Sequence, residues 1–185
     1  MRLYRQTVED FGLYAGKELE DEELKNLRSS AGQMSSKMRA VRIISAGNVS
    51  KADLERRLVE KGETKQDARQ AVAWLADRDL LDDQKTACQV VQNCIAKGYG
   101  PARAKQALFE KRIPKEYWEA ALDNYPDQSE KIQAFLEQRL TGEWTDKDMR
   151  KVTDALLRRG HSYHEIRKAL QNFAENADLQ EDIYG

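Results

Sequence analysis

Apolar positions along this chain fall at helical spacing, and the pattern occurs three times. Leu54 and Leu58 stand four residues apart in a segment running from Ser50 to Gly62. A shift of 50 residues lays Ala104 and Leu108 on them, and a shift of 98 lays Val152 and Leu156 on them. Each pair has i, i+4 spacing and so shares one face of a helix. A second helix follows each of these under the same shifts. Ala68, Trp118 and Ile166 superpose in it, as do Val72, Leu122 and Leu170. A leading helix precedes each pair, marked by Met38, Val41 and Ile44, then by Cys88, Val91, Cys94 and Ile95, then by Ile132, Phe135 and Leu136. The pattern predicts an all-α fold of three tandem three-helix repeats in an elongated, curved array. A unit of roughly 45 residues buries too little alone, so neighbours are expected to stack.

Turn residues place the boundaries. Ser50 caps the first middle helix, Pro101 opens the second, and Thr145 or Asp146 caps the third. Gly62 and Gly160 stand where a helix wants a left-handed residue at its end. Arg112 holds that place in the middle repeat, with Ile113-Pro114 ending the helix. The expected organisation is an N-terminal extension and lead-in helix over 1–34, repeats over 35–82, 83–127 and 128–176, and an acidic, frayed tail over 177–185. A short strand is expected over Arg2–Val8, and an acidic amphipathic segment over Glu18–Leu27. The third repeat carries an extra stretch, Thr141-Gly142-Glu143-Trp144. Trp74, Trp118 and Phe173 fall on the apolar stripe and are expected in the core.

Composition narrows the class. Hydrophobic residues make up 40% and charged residues 34%, with only three prolines. That favours helices with a modest core and a highly charged surface. Cys88 and Cys94 are six apart on one helix, about 120° around its axis, so they do not bridge easily and are expected to pack. A reducing cytoplasm fits, and no apolar run is long enough to span a membrane. No glycine-rich phosphate loop follows a strand. The carboxylates alternate with lysine and arginine, which marks a solvated face and not an acid–base pair. His161 and His164 lack a third ligand and read as surface or helix-start residues. No enzyme activity, metal or cofactor is expected.

Charge is more informative. Net charge is -1, yet the cations gather locally. Lys97, Arg103, Lys105, Lys111 and Arg112 crowd the second middle helix, and Lys147, Arg150, Lys151, Arg158 and Arg159 the third. Such faces suit a polyanion or an acidic protein surface. Tyr99 either packs on its own unit or stacks on a partner.

The stretch Leu80-Leu81-Asp82-Asp83, a helix, then Lys97-Gly98-Tyr99-Gly100-Pro101-Ala102-Arg103 and Leu108 ahead of Ile113, resembles the central repeat of RecX, the bacterial regulator of the RecA recombinase. Ser50 to Gly62 resembles the first repeat of that family, and Arg158-Arg159-Gly160-His161 with Ile166 the third. Gly12 to Leu19 is similar to the lead-in of the longer Firmicute-type members. The chain departs from the family pattern at Lys85-Thr86, Asn93, Ala104 and Arg112. The resemblance implies a helical, non-enzymatic monomer that lies on the RecA filament and suppresses strand exchange, ATP hydrolysis and co-protease activity. DNA would be a weaker second partner. Lys97, Tyr99, Gly100, Pro101 and Arg103 carry over by position, with Asp82, Asp83 and Gly98 as structural members of the motif. Arg150, Lys151, Arg158 and Arg159 are assigned from charge. The alternatives are a direct DNA-binding helical module and a generic protein-interaction scaffold.

Overall fold

Four helix starts in this chain are set by a short polar residue with an acid three positions later. The computed structural model describes residues 3–142 and 144–184, with side chains as far as Glu175. Among these residues there are ten α-helices and no strand. They run α1 (Arg5–Asp10), α2 (Asp21–Ser45), α3 (Lys51–Glu60), α4 (Lys65–Ala76), α5 (Asp83–Ala96), α6 (Pro101–Glu110), α7 (Trp118–Leu122), α8 (Ser129–Arg139), α9 (Asp146–Arg158) and α10 (Tyr163–Tyr184). A 3-10 turn, Lys115–Tyr117, leads into α7. Ser50 Oγ accepts from the Asp53 N–H at 3.1 Å, and Thr64 Oγ1 from the Asp67 N–H at 3.1 Å. Thr145 with Asp148 forms a reciprocal capping box, and Ser162 with Glu165 exchanges bonds of 3.2 and 2.7 Å. Each satisfies backbone donors that a helix start leaves open.

The chain divides into two compact units. The first holds Met1–Thr86 with Lys111–Ile113, the second Ala87–Glu110 with Pro114–Gly185. In the first, Leu54, Leu58, Ala68, Ala71 and Leu75 are fully buried between α2, α3 and α4. Polar bonds tie the start of α3 in place. The Asp83 carboxylate accepts from the Lys51 N–H at 2.8 Å, while Ser50 Oγ donates to the Lys111 carbonyl at 2.6 Å. Lys111 Nζ donates to the Asn48 carbonyl at 2.9 Å. The Asp82 carboxylate accepts from the Lys85 N–H at 3.0 Å, a bond that holds its pKa below the usual range.

The start of the chain differs from expectation. Arg2 lies outside the described residues, and Arg5–Asp10 is helical where a strand was expected. A strand needs a neighbour, and no other strand exists among the described residues. Helix is favoured instead by i, i+4 bonds from Arg5 to Glu9 and from Gln6 to Asp10, both 2.8 Å. The acidic segment and the first leading helix are one helix of 25 residues, α2. Gly32 sits within it because a Cβ there would lie 3.1 Å from the Asp67 carboxylate.

In the second unit Ile132, Leu136, Val152, Leu156 and Ile166 join α8, α9 and α10. Trp144 packs on this core, its ring 6.0 Å from that of Phe173; its neighbour Glu143 lies outside the described residues. Cys94 is buried, and burial pushes its thiol pKa up. Cys88 is exposed, against expectation, because α5 turns that face to solvent. Arg112 itself takes the left-handed conformation, φ 55°, that Gly62 and Gly160 take at φ 92° and 86°. Helix α10 continues to Tyr184, past the end expected near residue 176; the tail's side chains and Gly185 lie outside the described residues. Trp74 and Phe173 are half-buried against their cores, and Trp118 is half-buried.

The turn from α5 to α6 is held by the turn from α9 to α10. The Gly100 N–H donates to the Arg159 carbonyl at 2.9 Å, and the Ala102 N–H to the Gly160 carbonyl at 3.3 Å. A Cβ on Gly100 would run into the Gly160 carbonyl, and one on Gly160 into the Arg103 N–H. Gly100→Ala is therefore expected to lower stability by about 2 kcal/mol or more, as forced overpacking does. Gly142→Ala, at φ 67° but with open space around it, should cost about 1 kcal/mol. Thermal melts of the two variants test this, and equal shifts would refute the contact as the reason for Gly100.

Candidate functional site

Helix α8 supplies the floor of the most cationic region in the second unit. Lys131, Phe135 and Arg139 recur every four residues along it and so share a face. Two adjoining cavities meet there. One, about 250 Å³, is lined by Lys97, Gly98, Lys131, Phe135, Arg139 and Arg159 among others. The other, about 510 Å³, is lined by Phe135, Arg139, Asp148, Lys151, Arg158 and neighbouring apolar groups. The first lining holds four cations and no carboxylate.

Aromatic rings hold the guanidinium groups. Arg159 lies 4.4 Å from the Phe135 ring centroid and 6.0 Å from that of Tyr99, and Arg139 lies 5.5 Å from Phe135. Each such contact contributes about 0.5–1 kcal/mol and keeps a long side chain in place. Lys131 Nζ donates to the Ile95 carbonyl at the end of α5. Lys151 pairs with Asp148 at 3.0 Å. Bonds from Thr145 and Lys151 hold the Asp148 carboxyl at about 2, so it stays ionised. Lys97 and Arg158 form no ion pair among the described residues and are exposed.

The Lys97–Gly100 turn that borders this cleft has its polar groups matched. Tyr125 Oη donates to the Tyr99 carbonyl at 2.7 Å, and burial pushes the phenol pKa up to about 12, which keeps that donor. His161 Nε2 donates to the Gly98 carbonyl at 3.0 Å. His161 is buried, where a surface position was expected, because the Gly100–Gly160 approach draws its ring under the turn. Its Nδ1 has no partner. Among the described residues no group of His, Cys, Asp and Glu is placed to hold a metal, and no helix is long and apolar enough to cross a membrane.

Residues 82–122, from the α5 cap to the end of α7, match the family model described as RecX, second three-helix domain. The chain is 30% identical over 152 residues to the regulatory protein RecX of Salmonella paratyphi A, spanning 74% of this chain and 90% of that one. The chain belongs to the RecX family. The Escherichia coli O9:H4 RecX is 29% identical over 150 residues, with the same coverage. A crystal structure of regulatory protein RecX shares the fold at a TM-score of 0.69 and 19% identity, covering 91% of this chain and 88% of that chain. A crystal structure of RecX from Lactobacillus salivarius does so at 0.65 and 23%, covering 77% of this chain and 97% of that chain. This RecX-family chain is thus an all-helical regulatory protein.

The RecX-type residues read from the sequence separate into groups. Lys97, Lys151, Arg158 and Arg159 line the cleft, and Tyr99 lies under Arg159. Arg103 pairs with Glu110 at 3.1 Å, and Lys111 is bonded within the first unit. Lys105, Arg112 and Arg150 are exposed and line neither cavity. Sequence reasoning missed Lys131 and Arg139 and read Phe135 only as core. The four-residue spacing along α8 was the available signal.

His161 gives this RecX-family fold a pH dependence. Burial lowers its pKa, outweighing the Gly98 bond, which raises it. An unfolded imidazole takes a proton near pH 6.5, while the folded one resists. The unfolded state then binds more protons, so stability falls as pH drops below about 6.5. The melting temperature should fall between roughly pH 7 and 5 more steeply than in His161→Gln. Parallel curves for the two proteins would count against this origin.

Proposed function

We propose that this chain binds the RecA nucleoprotein filament and restrains its recombinase, ATPase and co-protease activities. The relationship to regulatory protein RecX, along nine-tenths of that relative, carries the reading. The cleft supports it physically. A filament on DNA offers phosphates and acidic side chains, and cations held in advance meet them without loss of side-chain freedom. Lys97 and Arg158 supply uncompensated charge, while Arg139 and Arg159 present guanidinium groups braced on Phe135. The chain acts as a cytoplasmic monomer with no cofactor.

A second reading, direct DNA binding without RecA, draws on the same ring and cations, which suit an unpaired strand. A gel shift of naked DNA at low salt separates the two, since only direct binding retards it.

The expected result is loss of RecA-driven ATP hydrolysis on single-stranded DNA at substoichiometric amounts of this protein. Lys97→Glu combined with Arg158→Glu should weaken the inhibition about tenfold or more, the scale of lost charge-assisted contacts. Helicity by circular dichroism should be unchanged. Full inhibition by a folded double variant would remove the cleft from the contact, and no inhibition by the native protein at large excess would sink the reading itself.

A further inference from the structure

A different cavity, in the first unit, carries an independent inference. It measures about 540 Å³ and is lined by Tyr4, Arg39, Arg42, Ile43, Arg57 and Lys61 among others. That volume suits a small organic ligand. Its lining holds four cations and no carboxylate. Two of the cations are fixed from behind by buried acids. Arg39 Nε pairs with Glu63 at 2.8 Å, and Arg57 Nε with Asp53 at 2.8 Å, the two carboxylates being only 8% and 3% exposed. Ser35 Oγ also donates to Glu63, at 3.1 Å, and Arg39 Nη1 to the Lys61 carbonyl, at 3.2 Å. These bonds fix the guanidinium planes and leave their other N–H groups unassigned.

Arg42 and Lys61 form no ion pair among the described residues, and both are exposed. Two positive charges in the lining are therefore uncompensated after the two carboxylates are counted. An arginine fork beside an ammonium group matches the oxygens of a phosphate ester. The rest of the lining is of another kind. The Tyr4 ring, Ile43 and Ala46 offer an aromatic and aliphatic wall. Cations beside aromatic and aliphatic groups within one cavity match a nucleotide better than a bare anion.

We propose that this cavity binds a mononucleotide, with its phosphate at Arg42 and Lys61 and its base against Tyr4. The nucleotide is either free or one unit of a single strand, and the recognising chemistry is the same. Titration calorimetry of the whole chain tests this with AMP, inorganic phosphate, a 5′-phosphorylated thymidine tetramer and a polyglutamate peptide. AMP should bind more tightly than phosphate, and Tyr4→Ala should remove that preference. Arg42→Glu should weaken AMP by about tenfold or more, with Lys61→Gln as the milder variant should the reversal fail to fold. Binding of AMP and tetramer alike assigns a free nucleotide, and binding of the tetramer alone, lost in Arg42→Glu, assigns a strand. Failure of both at several millimolar, AMP binding indifferent to Arg42 and Lys61, or a peptide that binds where neither nucleotide does, overturns the proposal.

Discussion

Contact between backbone at Gly100 and backbone at Gly160 governs the geometry of the second unit. Neither position has room for a Cβ. Because the two turns touch, their polar groups can satisfy each other: Gly100 with Arg159, Ala102 with Gly160, and Gly98 with His161. Arg159 is the residue that gains most. Its carbonyl is held by Gly100, and its guanidinium is thereby delivered over Phe135 and Tyr99. The same contact places Lys97 on the rim that Arg139 and Lys131 share. A side chain at either glycine would push the turns apart and scatter these cations.

Charge is sorted by the same rules that start and stop the helices. Asp53, Asp67, Asp148 and Glu165 lie within the first turns of their helices, beside open N–H groups and the positive end of the helix dipole. In four helices a cation lies in the last turn, beside the open carbonyls. Arg139 and Arg158 close α8 and α9, and Lys97 follows α5. In the first unit Arg42 and Arg57 occupy the last turns of α2 and α3, and Lys61 caps α3. A nearly neutral chain can therefore carry strongly basic hollows.

The sequence made the helices legible because their signals are local. Leu54/Leu58, Ala104/Leu108 and Val152/Leu156 are buried pairs, and Ser50 and Thr145 are caps. Family kinship was legible for the same reason, since Lys97 to Arg103 is a contiguous motif. The site was only partly so. Counting charge along α6 and α9 found Lys151, Arg158 and Arg159, yet it gave equal weight to Arg103, which Glu110 neutralises. It missed Lys131 and Arg139, which share a face of α8 at four-residue spacing and gain their role from α8 facing the α5–α6 turn. His161 was misread for a like cause: only the approach of a second turn buries it. The expected strand at the N-terminus failed because pairing depends on a partner elsewhere in the chain.

A comparison of the two hollows separates cations that build from cations that bind. In each, some basic groups are already committed. Lys131 bonds a carbonyl, Arg39 a carbonyl and a carboxylate, and Arg57 a carboxylate. Arg139 and Arg159 rest on an aromatic ring. These are positioned before any partner arrives, so little conformational freedom is lost on contact. The others, Lys97 and Arg158 in one hollow and Arg42 and Lys61 in the other, have no counter-charge and repel the fixed set. Solvent and salt screen part of that repulsion, and an entering anion relieves the rest. A hollow of pinned and unpinned cations is thus poised toward negative ligands, because part of its positive charge is fixed before an anion arrives.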